Sequence, residues 1–263
     1  MDRLVNLSAY CFLYGFLTFG LLFLVPLKLS RKFRQAFCAH LVLPALLHLS
    51  RDRIDGIRRR VVSQLNGLQS HDDELKEEGA IRVLEIGTAF GANFEYITRK
   101  VRYTNVEPSR EFDEAFLSNL GKNPKVKLER WIRGWAEDMP DIPDNSVDVV
   151  LITYLLCTVT DVQRTLAECK RVLVKGGRLL FMEHVAHPEG SWGFVLQRLL
   201  DPLWSVVFSG CHLTRRTGDV LAKAGFAQLE LAHEFLPVPA VLSPHVYGFA
   251  FIGPSPGPSA EDC

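Results

Sequence analysis

Apolar and polar positions along the chain fall into three regimes. From Leu4 to Leu29 nearly every residue is apolar and charge is almost absent. A helix rising about 1.5 Å per residue crosses a hydrocarbon core in about 20 residues, so this run predicts a membrane anchor over residues 1–30. Residues 31–70 mix basic and apolar positions. The stretch FCAHLVLPALLHL (37–49) is short, is interrupted by Pro44, and leads into Arg51, Arg53, Arg58, Arg59 and Arg60. It predicts a membrane-proximal amphipathic segment, which either rests in the lipid interface or packs on the domain that follows.

From residue 71 to 253 the pattern changes to short apolar runs alternating with helical periodicity. IRVLEIG (81–87), VRYTNVE (101–107), VKLERWI (126–132), VDVVLIT (147–153) and GRLLFMEHV (177–185) read as strands. Several are continuously apolar, as strands covered on both faces should be. Helices are expected over 92–100, 109–121 and 160–173. Such βα repetition predicts an α/β fold with a doubly wound, mainly parallel sheet, whose ligands bind beyond the carboxyl ends of the strands. The tail 254–263, PSPGPSAEDC, is rich in proline, serine and glycine and reads as disordered.

Charge and cysteine usage narrow the functional classes. Thirty basic residues balance thirty acidic ones, so no global field argues for nucleic acid. The six cysteines are scattered without a CxxC pair, which predicts neither a metal site nor a disulfide framework and suits a reducing compartment. Cys157 and Cys211 are expected to be small apolar fillers. Lys28, Arg31, Lys32 and Arg34 follow the anchor while only Arg3 precedes it, an asymmetry that puts the downstream domain in the cytosol.

The candidate chemistry sits at the ends of the expected strands. RVLEIGTAFGANFE (82–95) places Glu85, Gly87, Thr88, Ala89, Gly91 and Asn93 where strand one turns toward the next element. Gly87 and Gly91 let the backbone approach a ligand, and Gly91 is expected to open a helix with its amides facing that ligand. Glu107-Pro108 follows about 20 residues later, the spacing at which an acid accepts the hydroxyls of a ribose. A dinucleotide site needs G-x-G-x-x-G to seat a pyrophosphate, whereas here the spacing is G-x-A-x-G with Glu85 two residues upstream. A carboxylate repels a pyrophosphate and favours a sulfonium and an ammonium, so the loop points to S-adenosyl-L-methionine.

Glu85, Gly87, Gly91, Glu107, Ala136-Glu137 and Lys175-Gly176-Gly177 resemble class I S-adenosylmethionine-dependent methyltransferases. Within them EIGTAFGANF, LLCTV, FMEHV, LLDPLW, SGCHLTR and PHVYGFA resemble the methyltransferase-like 7 group of membrane-anchored thiol S-methyltransferases, over nearly the whole chain. The resemblance implies a Rossmann-like sheet of seven strands, with 227–236 and 245–253 as strands six and seven, the last antiparallel. It implies that Glu85, Gly87, Gly91 and Asn93 bind the cofactor, that Glu107 takes the ribose, and that Ala136 and Glu137 lie near the adenine. Thr88, Ala89, Pro108, Thr153 and Tyr154 complete the expected cofactor-binding set. Ala89 and Trp135 depart from the superfamily pattern; Trp135 either packs on the purine or fills the core.

For methyl transfer to a thiol the protein must align the acceptor, exclude water and favour the thiolate. The candidates are Glu183 and His184 at the end of strand five, then Asp201, Cys211 and His212 before strand six, with His245 as a further one. The connection 186–213 carries Trp192, Phe194, Leu196, Leu199, Leu200, Leu203, Trp204 and Phe208 at helical spacing; it closes over the acceptor, dips into lipid, or packs as ordinary core. The leading expectation is an enzyme acting on a small lipophilic thiol, with membrane lipid as its other partner, at the cytosolic face of the endoplasmic reticulum or on lipid droplets. A lipid or other small-molecule methyltransferase, and a non-catalytic membrane protein with a decayed cofactor site, stand as alternatives. Oligomeric state is not legible.

Overall fold

The computed structural model describes Thr18 and residues 20–253. Most of the expected anchor and all of the expected tail therefore lie outside the described residues. Among those described, no helix is long and apolar enough to cross a membrane.

Seven strands form one sheet: β1 (Ala80–Ile86), β2 (Lys100–Val106), β3 (Val126–Ile132), β4 (Val147–Thr153), β5 (Leu173–His184), β6 (Gln228–Phe235) and β7 (Pro244–Phe251). Their order is β3-β2-β1-β4-β5-β7-β6. The first five are parallel, and β7 runs antiparallel between β5 and β6. The helices are α1 (Val25–Leu29), α2 (Arg31–Phe37), α3 (Leu43–Val62), α4 (Asp73–Glu77), α5 (Asp113–Leu120), α6 (Val162–Val172), α7 (Trp192–Val207) and α8 (Thr217–Lys223). One π-helical turn, Gly20–Leu24, precedes α1 and another, Cys38–Val42, joins α2 to α3.

Each sheet face buries its own apolar layer, because alternate residues of a strand point to opposite sides. Leu84, Ile86, Val150, Ile152, Leu179 and Phe181 face α6 and α8, which contribute Leu166, Cys169, Val172 and Leu221. Val83, Val149, Leu151, Leu180 and Met182 face the other way, against Ile57, Val61, Val62 and Leu65 from α3 and its end, and Phe116 of α5. Asp161 and Ser191 fix two helix starts, accepting hydrogen bonds from Arg164 N (3.0 Å) and Phe194 N (3.2 Å).

One expected element is missing. Residues 92–100 form no α-helix, only a single 3₁₀ turn, Phe94–Tyr96, before β2. Phe94, Tyr96 and Ile97 instead pack flat into the core, and α3 covers that face of the sheet. Gly91 thus opens no helix. At its φ of +77°, a Cβ would lie 2.5 Å from the Phe94 ring, so glycine is required there for packing.

In the segment 37–49, Cys38 and Ala39 are buried and Leu46 packs against Leu213, Val241 and Leu242, while Leu41 is exposed. Around α7 the polarity is inverted. Gln197 is buried, donating to the carbonyls of Val185 (3.1 Å) and Val241 (2.8 Å), while Trp192, Val195, Leu199 and Leu203 point outward. α7 lies beside α1 and α2, whose Val25, Leu29 and Phe33 are also exposed.

Candidate active site

A cavity of about 910 Å³ opens beyond the carboxyl ends of β1, β2, β4 and β5, in the size range of small-molecule sites. A separate pocket of about 460 Å³ beside α6 and α8 holds none of the expected site residues. The large cavity has a floor of strand-end loops and a roof from the N-terminal segment, including Arg31, Arg34, Cys38 and Arg58.

At one end the β1 loop contributes Gly87, Thr88 and Ala89, and the β2 end contributes Glu107 and Pro108. Gly87 has φ +71°, and a Cβ on it would stand 2.7 Å from Leu155 Cδ1, so a side chain would jam the loop. Glu107 accepts hydrogen bonds from the amides of Ala89 (3.1 Å) and Ser109 (2.9 Å), which hold its carboxylate at the wall. Burial raises its pKa, and these two amides oppose that shift. Ala89 reaches its amide contact at φ +49°, a left-handed conformation that costs a residue with a Cβ about 1 kcal/mol or more. Ala136, Glu137, Thr153 and Tyr154 also line the cavity. Glu137 turns its carboxylate to the amide of Thr160 (2.7 Å), leaving its backbone at the wall. Trp135 is no core filler: it is 47% exposed at the cavity mouth, with the Arg31 guanidinium 4.2 Å over its ring.

Glu85, Gly91 and Asn93 stand behind that wall rather than on it. Glu85 is 1% exposed and accepts from Asn93 Nδ2 and Tyr103 Oη, each at 2.7 Å. Burial pushes its pKa up to about 7, against the pull of Tyr103, Asn93 and Arg58. Asn93 in turn accepts from Arg58 Nη1 at 2.7 Å and donates to Thr153 Oγ1 at 3.1 Å. Glu85, expected to bind the cofactor, connects to the cavity through a relay, Glu85 to Asn93 to Arg58.

Arg58 is the residue the sequence reading passed over. Its signal was present: Ile54, Ile57, Arg58, Val61, Val62 and Leu65 follow the spacing of one buried helix face, with a single charge inside it. That face packs on the sheet, so Arg58 is only 6% exposed and still lines the cavity.

At the other end stand Cys157, His184, Cys211, Trp204 and His245. His184 Nε2 lies 3.1 Å from Cys211 Sγ, which also accepts from Trp204 Nε1 at 3.4 Å. Burial disfavours the charged form of His184, but Cys157, Glu183 and Asp201 outweigh it and raise the pKa. A hydrogen bond with Cys211 and burial raise the Cys157 thiol well above its ordinary value. Tyr154, held at φ +57°, donates to or accepts from His245 Nε2 at 2.9 Å. Burial lowers the His245 pKa to about 4. Ala89, Tyr154 and Ser209 are all non-glycine residues at positive φ, and all three line this cavity. Backbone strain of this kind collects at functional sites.

Three of the four expected catalytic side chains are turned elsewhere. Glu183 and His184 are neighbours in a strand, so they face opposite sides. Glu183 is fully buried and spends its carboxylate on the amides of Leu155 (2.8 Å), Leu156 (2.9 Å) and Cys157 (3.3 Å). Asp201, inside α7 rather than at a turn, binds His212 Nδ1 (2.9 Å) and the amide of Leu213 (2.6 Å). Neither it nor His212 reaches the cavity wall. Only His184 does. The cysteines expected as fillers are instead its neighbours, brought together from the turn after β4 and the loop after α7.

Residues 84–181 match a family model described as a methyltransferase domain. Human thiol S-methyltransferase TMT1A is 38% identical over 173 residues, covering 65% of this chain and 71% of that protein. Rat thiol S-methyltransferase TMT1B is 34% identical over 201 residues, 75% of this chain and 79% of that one. The chain belongs to this family of S-adenosylmethionine-dependent methyltransferases. A Thermotoga maritima S-adenosylmethionine-dependent methyltransferase shares the fold, with a TM-score of 0.56 at 20% identity over 83% of this chain and 99% of that one.

As a methyltransferase the chain takes S-adenosylmethionine as its methyl donor, and its cavity fits that molecule. Glu107 presents a buried carboxylate suited to a pair of hydroxyls, Arg58 a buried cation suited to a carboxylate, and the Gly87 turn leaves room that a side chain would fill. Ala89 narrows the loop by one methyl group without closing the cavity, which it lines.

Proposed function

We propose that the protein methylates the sulfur of small lipophilic thiols at the cytosolic face of the endoplasmic reticulum membrane, with lipid droplets as a second location. The observation that carries this reading is the far end of the cavity. There two cysteines and a histidine meet apolar and aromatic walls, and both neighbouring carboxylates, Glu183 and Asp201, are committed to other partners. Such a lining suits a soft, weakly hydrated sulfur acceptor better than a hydroxyl or an amine, which would need a hard acceptor for its proton. The identity with two thiol S-methyltransferases supports the same choice.

When bound, S-adenosylmethionine supplies an electrophilic methyl group on a sulfonium. Glu107 would hold the ribose and Arg58 the amino-acid carboxylate, with Glu85 fixing Asn93 and, through it, Arg58. Trp135, the Ala136 backbone and Arg31, which line the same end of the cavity, would flank the adenine and exclude water. His184 and the two cysteines orient the incoming sulfur. An alkyl thiol has a pKa near 8.5, so it needs help to ionise at neutral pH.

The membrane location is supported by the apolar anchor sequence, by the outward apolar side chains of α7, α1 and α2, and by Lys28, Arg31 and Lys32 beside them. A lipophilic acceptor partitioned in lipid would then reach the cavity beside α7. The deciding experiment presents the full-length chain in detergent with methyl-labelled cofactor and a panel of thiols, alcohols and amines. Label should enter alkyl and aryl thiols; methylation of oxygen or nitrogen acceptors with thiols untouched overturns the reading.

A further inference from the structure

The fold brings Cys157, His184 and Cys211 together with their ligand atoms all within 4.8 Å of one another and all three residues buried. Their sources are far apart in sequence: a turn held by Glu183, the end of β5, and a loop pinned by the hydrogen bond from His212 N to Cys157 O (2.9 Å). We propose that these three side chains form a zinc site whose open fourth position faces the cavity.

Geometry supports this. A tetrahedral zinc with bonds of about 2.3 Å to sulfur and about 2.0 Å to nitrogen spaces its ligand atoms roughly 3.5–3.8 Å apart. His184 Nε2 and Cys211 Sγ already stand 3.1 Å apart, and the widest separation stays within 4.8 Å, so side-chain rotations suffice to close on an ion. Composition supports it too. Two thiolates and a neutral imidazole are soft donors that select zinc over magnesium or calcium, and they neutralise the dication, so a buried site carries no net charge. Three protein ligands with one position open is the arrangement of catalytic rather than structural zinc. Finally, the hydrogen-bond partner of the buried His184 Nε2 is a sulfur atom, Cys211 Sγ. Metal ligation replaces weak sulfur contacts with a strong bond.

On the thiol reading above, the fourth ligand is the acceptor sulfur. Its S–H bond breaks as the zinc–sulfur bond forms, the electron pair stays on sulfur, and the proton passes to solvent. The metal thereby does what neither Glu183 nor Asp201 is placed to do.

The test uses full-length protein in detergent, stripped with a chelator and titrated first with Zn²⁺ and then, as a spectroscopic probe, with Co²⁺. One equivalent of Zn²⁺ per chain is expected, and Co²⁺ should give the visible bands of a tetrahedral ion with thiolate charge transfer. Cys157→Ser and Cys211→Ser should each weaken binding more than the ~10–100-fold typical of losing an outer partner of a metal ligand. Cys38→Ser, elsewhere on the cavity wall, should leave stoichiometry unchanged. Wild-type protein showing no saturable Co²⁺ band, or a Cys157–Cys211 disulfide persisting under cytosolic thiol reductant, overturns the site, whatever the variants do. Adding an alkyl thiol to the Co²⁺ form should shift the spectrum. If Co²⁺ binds but no thiol perturbs it and no thiol is methylated, the acceptor reading fails while the metal site stands. If thiols are methylated by metal-free protein, the site's proposed role fails and the function stands.

Discussion

The two ends of the cavity are built on different principles. At the cofactor end the wall is held by hydrogen bonds: Glu107 accepts from the Ala89 and Ser109 amides, and behind the wall Arg58 is braced by Asn93, Asn93 by Glu85, and Glu85 by Tyr103. At the acceptor end it consists of sulfur, imidazole and aromatic rings. The first end is specified in advance for one polar, charged molecule. The second is apolar and adaptable, with chemistry concentrated at one point. On the proposed function, one polar donor and lipophilic thiol acceptors call for that asymmetry.

Variants can test how separate the two ends are. The largest effect is expected from Glu107→Ala. Two hydrogen bonds to a charged group are each worth about 1.5–3 kcal/mol, so S-adenosylhomocysteine affinity should fall about 100-fold or more by calorimetry. Arg58→Met should cost about 10-fold in the same titration and also lower the unfolding free energy by about 1–3 kcal/mol, since it leaves the buried Asn93 oxygen without its donor. An acceptor KM that moved as much as cofactor affinity would show the two ends to be coupled. Gly87→Ala meets both a positive φ and the Leu155 side chain and should destabilise by about 2 kcal/mol in urea denaturation.

Acidity offers a smaller test. Burial holds Glu85 near 7 rather than its ordinary 4.5, so the folded state keeps a proton that the unfolded chain has lost. Its contribution to stability is full below about pH 4.5 and is lost as pH rises through about 7. Denaturation midpoints should decline across that window and decline less in Glu85→Gln; Glu183, raised to about 7 by burial as well, supplies the slope that remains. Smallest of all, Ala89→Gly should relieve the left-handed strain at φ +49° and raise stability by ~1 kcal/mol or less, since glycine also gains entropy in the unfolded chain. Cofactor affinity should change little; a large gain would mean that the methyl group obstructs the loop.

The cofactor end was legible in the sequence because its signals are local. Gly87 and Glu107 sit at strand ends that apolar runs mark out, and β-α spacing brings them together. The same locality misled at 92–100, where helical spacing lost to packing: Phe94, Tyr96 and Ile97 are drawn into a layer already roofed by α3. The far end was legible only in part: His184, Cys211 and His245 were expected as candidates and line the cavity, whereas Cys157 was expected only as a filler. Cys157 and Cys211 carry no spacing motif, and only the return of the α7 loop over the β4 turn makes them neighbours of His184. Glu183 looked as eligible as His184 until strand alternation sent it to the opposite face. Arg58 was hidden in a segment that read as membrane-proximal, although its place in an apolar stripe marked it.

The N-terminal roof has a practical corollary. α3 packs Ile57, Val61 and Val62 into the layer on one face of the sheet and delivers Arg58 to the cavity. Cutting the chain before residue 71 to obtain a tractable catalytic fragment would strip a hydrophobic wall and unseat the donor at once. The N-terminal segment is therefore no appendage that can be swapped or discarded; it is built into the catalytic unit, and any truncation or chimera must carry it whole.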